Sequence, residues 1–427
     1  MSKTIIIIGA GLAGLSAALQ AAENGCNVKL VSSLPSERAQ SVMAEGGINA
    51  ALNTKDENDS PEEHFTDTIK AACGLADPNA VWGMTQAAPE LVHWLLKLGV
   101  KFNMSGYDDV DLRNFGGQKK KRTAFAQSDT GKQIMTAMID AVRRKEASGM
   151  VERFSHHSFL TLRLCGNICC GCVIRDEYSQ ETVELPGDAV IVATGGMHGL
   201  FGNTTGSLSN TGEVTAELFR LGVPLANSEM IQYHPTTVKC GGKRILISEA
   251  ARGEGGRLFA MKDGKQWYFM EEKYPELGNL MPRDITAREI WKVSHESEVF
   301  LDMTEISEEI ISNKLSGLAD DCMTYLHKDI RKEPVSVLPG IHYFMGGILV
   351  DEQHRTPIQN LYAAGECCAQ YHGANRLGGN SLLGALYGGR VAAKSACEQA
   401  DVVDLSCATQ IDFPPASQIS EIKQINK

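Results

Sequence analysis

The chain has 427 residues, of which 43% are hydrophobic and 22% are charged. This composition is typical of a globular protein and excludes collagen-like, largely disordered and disulfide-scaffold proteins. The formal net charge of −11 disfavours a protein that coats nucleic acid. It does not exclude an anionic substrate, because charges further away than about 8 Å are screened at physiological salt and a few local arginines are sufficient.

The N-terminal segment predicts neither export nor insertion into a membrane. Its apolar stretch, which runs from Ile5 to Leu19, is interrupted by Ser16 and is shorter than the roughly 18 residues of a spanning helix. No small-residue cleavage site follows a charged start. We therefore expect a cytoplasmic protein, and attachment to the cytoplasmic face of a membrane complex through another subunit stays open.

The twelve cysteines are spread along the chain without an even framework, which predicts reduced thiols. The densest group lies in an alternating, strand-like stretch and consists of Cys165, Cys169, Cys170 and Cys172. Because no second CxxC pair accompanies it, we interpret this group as buried apolar thiols in preference to metal ligands.

The first 32 residues predict a βαβ unit. A strand at 3–8 is followed by three glycines, a helix at about 12–24 and a second strand at 27–32. In this context Gly9 makes the turn, Gly11 allows close approach of a pyrophosphate and Gly14 packs the helix on the strand. The pattern indicates dinucleotide binding, the alternative being a tight turn without a ligand. Ser32 and Ser33 stand where NAD-binding proteins place an acid, which disfavours NAD.

Two later segments repeat the order of an apolar strand followed by glycine, at 189–196 and 361–366. Three such strand ends predict a single sheet with a cofactor across its carboxyl edge. Residues 61–100 predict helices whose apolar positions, Trp82, Leu91, Trp94, Leu95 and Leu98, are assigned to packing. Between about 234 and 342 the pattern changes to charged, glycine-rich segments, which indicates an inserted domain.

Five polar clusters flank this insertion, at 234–237, 248–256, 281–288, 342–347 and 372–383. A dicarboxylate site requires arginine forks, neutral donors and a positioned proton donor, all of which these clusters contain. Each also has a simpler interpretation on its own. His234 suits a turn, Arg376 suits a helix cap, and Glu249 with Arg252 suits a surface pair.

Taken together, the motifs resemble the flavoprotein subunit of the succinate dehydrogenase and fumarate reductase family, which includes L-aspartate oxidase. The similarity extends from residue 3 to about 395 and is carried by AEGGINA, FGGQKKKRTAFAQSDTG, ATGG, HPT, SEAARGEGG, PRD, HYFMGGI, AAGE and GANRLGGNSLL. It implies an α/β fold, with a Rossmann-like FAD-binding domain of the glutathione-reductase type and an inserted α+β capping domain. The expected division is 1–233 plus 343–400 for the FAD-binding domain, 234–342 for the capping domain, and 401–427 for a C-terminal tail.

The resemblance also implies roles for individual residues. Arg283 is the expected proton donor or acceptor, with Glu249 and Arg252 as its relay to solvent. The substrate carboxylates are expected on His234, Ser248, His342 and Arg376. Contacts to FAD are expected from Gly9, Gly11, Gly14, Ser32, Ser41, Ala44, Glu45, Gly46, Gly47, Ala193, Thr194, Gly195, Glu213, Glu366, Ser381 and Leu382.

The sequence departs from the family pattern at several positions. Gln40 replaces the histidine that links the flavin covalently in many relatives, which implies non-covalent FAD and favours fumarate reduction over succinate oxidation. A TGDG-like string reads Thr211 to Val214 with Glu213 as its acid, so ribityl contacts are expected to shift. The long C-terminal helical region that helps dock an iron–sulfur subunit is not seen after residue 393, although such a subunit is the partner that the resemblance implies.

Two alternatives to a fumarate–succinate enzyme remain at this point, L-aspartate oxidase and a non-catalytic flavin electron-transfer module. Met345 within HYFMGG and the FGGQKKKRTAFA string favour the reductase branch over the oxidase. A site without catalytic function would not require buried charged residues to converge. The presence of Arg283, His342 and Arg376 therefore argues against the electron-transfer module. The basic run Lys119 to Arg122 is interpreted as a solvated loop, with a position near the edge of the flavin implied by the resemblance.

We predict that denaturation with acid or urea releases all of the flavin into the supernatant, because the amide of Gln40 cannot form the covalent link. The measurement is flavin absorbance in the supernatant and flavin fluorescence on a denaturing gel. Fluorescence that stays with the protein band would contradict the prediction.

Overall fold

The computed structural model describes residues 2–106 and 109–401 of the chain. The predicted tail at 401–427 lies outside the described residues except for Asp401. The strands of the described residues are β1 Thr4–Ile8, β2 Asn27–Ser32, β3 Ile48–Asn49, β4 Leu112–Arg113, β5 Thr123–Ala124, β6 Val151–Ser155, β7 His157–Cys165, β8 Ile168–Asp176, β9 Thr182–Pro186, β10 Ala189–Val192, β11 Leu225–Ala226, β12 Ile231–Cys240, β13 Lys243–Leu246, β14 Arg257–Lys262, β15 Lys265–Trp267, β16 Val299–Asp302, β17 Val335–Ser336, β18 Leu338–Phe344, β19 Gly347–Leu349, β20 Leu361–Ala363 and β21 Cys368–Ala369.

The helices vary from five to twenty residues in length. They are α1 Leu12–Glu23, α2 Pro61–Ala72, α3 Pro78–Lys97, α4 Thr130–Ala147, α5 Glu213–Arg220, α6 Glu249–Gly253, α7 Phe269–Lys273, α8 Arg283–Val293, α9 Glu308–Lys314, α10 Ser316–Asp321 and α11 Asn380–Gln399. Among the described residues, no helix combines the length and apolar character that crossing a bilayer requires.

A five-stranded parallel sheet in the order β20-β10-β1-β2-β6 organises the fold. The predicted βαβ unit corresponds to β1, α1 and β2 within one or two residues. The prediction that three distant strand ends belong to one sheet is confirmed, because β1, β10 and β20 are neighbours. The expected α/β class is therefore confirmed.

Both faces of this sheet are covered, which explains why its strands are continuous apolar runs. Alternate side chains of β1 point to opposite faces. Ile5 and Ile7 join the core beneath the helices, whereas Ile6 and Ile8 join a second core beneath the antiparallel β7-β8-β9 sheet. The parallel sheet is thus the middle layer of three.

The cysteines of β8 behave largely as predicted. Cys169 and Cys172 are buried in the second core, and burial raises the pKa of the Cys169 thiol to about 12. The prediction of reduced thiols throughout is wrong for Cys165, which is disulfide-bonded. Cys165 lies half-buried at the end of β7, and the spacing of the cysteines does not indicate this bond.

Residues 247–337 build a separate apolar cluster around the antiparallel β15-β14-β16-β17 sheet. Phe115 belongs to the same cluster although it lies far outside this range. The antiparallel β13-β12-β18 sheet carries His234 and His342. The division of the chain at 233 and 342 stays a prediction.

Two predictions about individual side chains need correction. Trp82 does not pack inside the core, because α3 leaves it 44% exposed against the ring of Phe65. Arg122 is not part of a solvated loop. It is fully buried and its guanidinium lies 2.8 Å from the Asp59 carboxylate and 2.9 Å from that of Asp67. The pairing compensates the cost of burying the charge.

Candidate active site

A cavity of about 600 Å³ lies at the carboxyl ends of β1, β2, β10 and β20. In open α/β sheets this edge is the usual place for a ligand. The cavity extends from the turn after β1 to side chains of β12, α6, α8 and β18. One elongated site therefore joins the parallel sheet to the region that follows residue 233.

The glycine turn after β1 brings backbone to the cavity wall. Gly9 has φ of +113°, and a Cβ atom there would lie 2.2 Å from the carbonyl oxygen of Ala193. A Cβ on Gly14 would lie 1.8 Å from the carbonyl oxygen of Gly9. Gly9 and Gly11 line the cavity, whereas Gly14 does not. Gly14 instead allows α1 to pack on β1, as its position in the motif predicts.

Three helices begin at the cavity wall, at residues 12, 213 and 380. The N-cap residues of these helices, Gly11, Gly212 and Gly379, have no side chain to cap the free N–H groups. Helix N-termini carry partial positive charge and exposed donors, so they attract phosphate. The start of α1, at the glycine turn, is therefore suited to a diphosphate, whereas Gly378, just before the helix at 380, lies beside Glu249 and Arg283.

Unpartnered polar atoms face the same end of the cavity. Among the described side chains, Ser32 Oγ and Glu45 Oε2 are buried without a hydrogen-bond partner. Burial, with Asp321 nearby, raises the pKa of Glu45 to about 8. Buried polar groups normally have partners, so these atoms indicate a ligand with hydroxyl or N–H groups.

The cavity brings together most of the residues predicted to contact the cofactor. Besides Gly9 and Gly11, those that line it are Ser32, Ser41, Ala44, Glu45, Gly46, Gly47, Ala193, Thr194, Gly195, Glu213, Glu366, Ser381 and Leu382. Gln40 also lines the cavity.

The four residues predicted to hold carboxylates line the other end. The rings of His234 and His342 are 5.0 Å apart, and Arg376 and Ser248 are almost completely buried. Burial, followed by the charge of neighbouring arginines or of the second histidine, lowers the pKa of both histidines well below its usual range. The two imidazoles are therefore neutral near pH 7.

Arg283, the first residue of α8, is fixed by hydrogen bonds. Its Nε and Nη2 donate to Glu249 Oε2 at 2.8 and 2.6 Å, and its Nη1 donates to Gln232 Oε1 at 3.1 Å. A guanidinium has five N–H donors, so these bonds leave donors for a ligand in the cavity.

Glu249 continues the chain of contacts away from the cavity. Its Oε1 accepts from the backbone N–H of Gly116 at 3.0 Å and lies 3.3 Å from Arg252 Nη2. Burial raises the pKa of Glu249, but Arg283 and Arg252 outweigh burial and the net shift is downward. Arg252 does not line the cavity; it stands behind Glu249 and donates to the carbonyl of Asn279 at 2.6 Å.

The charge of this end is strongly positive. Three buried arginines, Arg252, Arg283 and Arg376, face the buried carboxylate of Glu249 and the less buried carboxylate of Glu366, which leaves an excess of positive charge. Burial and the nearby Arg283 lower the pKa of Arg376 to about 9, so it is still cationic at pH 7. The end of the cavity is complementary to a small dianion.

Several functional residues were missed by the sequence analysis. Thr205 Oγ1 hydrogen-bonds His342 Nδ1 at 2.8 Å, Gln232 holds Arg283, and the ring of Tyr343 lies 4.4 Å from the guanidinium of Arg376. Gln232 lies two residues before the HPTT cluster and Tyr343 lies within the HYFMGG cluster, and these positions were the available signal. Thr205 had none.

Comparison with known proteins agrees with this geometry. The family described as FAD binding domain matches residues 4–382. The succinate dehydrogenase flavoprotein subunit of Bacillus subtilis is 43% identical over 413 residues, which are 95% of this chain and 70% of that protein. The L-aspartate oxidase of Streptomyces coelicolor is 33% identical over 98% of this chain and 73% of its own length.

A solved structure of a mutant of E. coli quinol fumarate reductase FrdA superposes with a TM-score of 0.88 at 30% identity. The match covers 99% of this chain and 74% of that one. This chain belongs to the succinate dehydrogenase and fumarate reductase flavoprotein family. It is an FAD protein. The glycine turn, the helix N-termini and the unpartnered Ser32 and Glu45 atoms fit that cofactor, whose diphosphate and hydroxyl groups require such partners.

Binding of a dicarboxylate is expected to weaken as the pH rises above about 9. Arg376 is cationic below its lowered pKa of about 9 and loses the charge above it. The measurement is malonate affinity from pH 7 to 10, followed through the absorbance of the flavin. In Arg376→Gln the affinity is expected to be weak and nearly constant over this range. Constant affinity in the parent protein up to pH 10 would contradict the prediction.

Proposed function

We propose that this chain is the catalytic flavoprotein of an enzyme that interconverts fumarate and succinate, with Arg283 as the proton donor or acceptor. The observation that carries the proposal is the buried Arg283–Glu249–Arg252 chain ending at a cavity that also holds Arg376 and two neutral histidines. Fumarate and succinate are dianions, which this excess of positive charge accommodates.

Each carboxylate of the substrate has a matching set of donors. Arg376 offers a fork for bidentate binding, and its Nε has no protein partner among the described residues. His234, His342 and Ser248 offer uncharged donors for the remaining oxygens. Neutral imidazoles donate without adding charge, so the arginines determine the net charge of the site.

FAD, when bound, supplies or accepts a hydride at flavin N5. Arg283, whose free N–H donors face the cavity, donates or accepts the proton at the neighbouring carbon. Arg376 stabilises the negative charge that develops toward the substrate carboxylate during the transfer. Buried cationic groups are worth more in this role than they are in water.

Glu249 and Arg252 supply protons to Arg283. The two contacts of Glu249, at 2.6 Å to Arg283 and 3.3 Å to Arg252, form a continuous path away from the cavity. Arg252 then reaches the half-buried Asn279. Because all three charged groups are buried, protons move along this path without opening the cavity to water.

The direction we propose is fumarate reduction. Gln40 stands at the cavity wall where family members with linked flavin carry a histidine. A covalent link commonly raises the flavin potential, so its absence favours reduction of fumarate over oxidation of succinate. We also propose an iron–sulfur electron-transfer subunit as the electron partner, since relatives are named as flavoprotein subunits.

L-Aspartate oxidase is the second candidate, supported by 33% identity to one such enzyme. The ammonium group of aspartate requires a carboxylate, and those near the substrate end are engaged. Glu249 is held by two arginines. Glu366 contacts His198 and accepts from the N–H of Phe344. The charges therefore favour a substrate without an ammonium group. A non-catalytic flavin module has no need for these buried arginines.

The test is an anaerobic titration of the photoreduced protein. Fumarate is expected to restore the oxidised flavin spectrum, and aspartate is expected to have no effect on the oxidised protein. Bleaching by aspartate would establish the oxidase instead. No response to either compound would overturn the proposal of a catalytic site.

Replacing Arg283 with lysine is expected to lower turnover with fumarate by at least 100-fold and to leave malonate binding within about threefold. A positioned general acid contributes about 10²- to 10⁴-fold to the rate, and lysine retains the charge but not the geometry. Glu249→Gln is expected to lower turnover less, because the proton donor itself remains.

The matched control is Arg288→Lys, which changes a largely exposed arginine on the same helix and is expected to leave turnover unchanged. Turnover is measured by dye-coupled fumarate reduction. An Arg283→Lys protein within tenfold of the parent, or one that no longer binds malonate, would show that Arg283 acts in binding or structure and not in proton transfer.

A further inference from the structure

Arg244 is a buried cation without an acidic partner. It lines the catalytic cavity and is 7% exposed. It donates to Thr237 Oγ1, to the carbonyl of Thr237 at 3.0 Å and to that of Leu338 at 3.3 Å. Among the described residues, no carboxylate lies within ion-pair distance of it. Burial lowers the pKa of Arg244, and no nearby acid opposes the shift.

The backbone makes room for this side chain. A Cβ atom on Gly340 would lie 2.5 Å from Arg244 Cδ, so Arg244 crosses β18 where the strand has no side chain. His342, which lines the catalytic cavity, is two residues further along β18, where the β12–β18 pairing has a register shift. Arg244 therefore lies next to the carboxylate-binding end of the cavity but outside the group of residues proposed to hold the substrate.

Arg244 also lines a second cavity, of about 570 Å³. The walls carry large apolar side chains that are unusually exposed, namely Phe201 at 47%, Tyr233 at 48%, Trp291 at 59% and Leu338 at 43%. His295 lies on the rim with its ring 4.4 Å from that of Trp291. No aspartate or glutamate of the described chain lines this cavity.

We infer that this second cavity is a binding site for a small aromatic carboxylate, which places its carboxylate on Arg244 and its ring against Tyr233 and Trp291. The volume lies within the range of about 300–1,000 Å³ for small-molecule sites, and such sites combine apolar walls with a few polar anchors. A buried arginine without an acid is suited to complete its pairing with a ligand anion. The inference does not depend on the proposed reaction.

The experiment is calorimetric titration of the FAD-loaded chain with 3-phenylpropanoate. Two related compounds separate the two parts of recognition. Propanoate lacks the ring and 3-phenylpropanamide lacks the charge, so both are expected to bind at least tenfold more weakly. Equal affinity for the amide and the acid would overturn the role of Arg244 without any variant.

Variants then locate the site. Arg244→Gln is expected to weaken 3-phenylpropanoate at least tenfold, and Arg244→Lys is expected to weaken it less because it keeps the cation. Trp291→Ala is expected to weaken it at least threefold while leaving malonate binding unchanged. FAD content and thermal midpoint show whether each variant is folded, and Arg288→Gln on the same helix is the control.

Competition with malonate distinguishes the two cavities. With malonate saturating, 3-phenylpropanoate is expected to bind within tenfold of its original affinity. Complete displacement by malonate would place the compound in the catalytic cavity and overturn the inference. Absence of binding at 10 mM would also overturn it, and the exposed aromatic surface would then be assigned to a protein partner.

Discussion

The carboxylate of Glu249 is the constraint on which the active site depends. It is 2% exposed, and a buried charge is costly unless it is paired and hydrogen-bonded. Its partners come from three separate segments: Arg252 from its own helix, Arg283 from α8, and the N–H of Gly116 from the turn after β4. Removing one partner of such a group costs about 3–5 kcal/mol, so all three segments must be in place together.

The same constraint explains why an acidic protein has a positive site. The chain carries a net charge of −11, yet at the substrate end of the cavity three buried arginines outnumber the carboxylates of Glu249 and Glu366. Surface acids affect this site little, because exposed charges beyond about 8 Å are screened. Inside the cavity the dielectric constant is lower and screening is weak, so the local arrangement determines which ligand binds.

The parallel sheet was predictable because its signals are local. The strands β1, β10 and β20 are apolar runs followed within three residues by a glycine, and such a run next to a glycine turn needs no distant partner to be recognised. The grouping of the predicted cofactor contacts at the carboxyl edge of this sheet followed from that prediction. Gly14 and Arg252 are the members of the predicted site that do not reach the cavity, since one packs a helix and the other stands behind Glu249.

Features that depend on distant pairs were not predictable. Gln232 and Arg283 are 51 positions apart, and Thr205 and His342 are 137 apart. Arg122 ends a run of basic residues that resembles a solvated loop, but Asp59 and Asp67 bury it. A run of basic residues shows how many cations a segment carries, but only the three-dimensional structure shows which of them form ion pairs.

Helix α8 borders both cavities. It has eleven residues and is about 16 Å long, with Arg283 at its first position and Trp291 near its end. It packs against β12, where Gln232 is buried and holds Arg283 while its neighbour Tyr233 is exposed and lines the second cavity. Successive side chains of a strand point to opposite faces, so Gln232 reaches Arg283 in the catalytic cavity while Tyr233 lines the second cavity. One helix–strand pair therefore supplies side chains to both cavities.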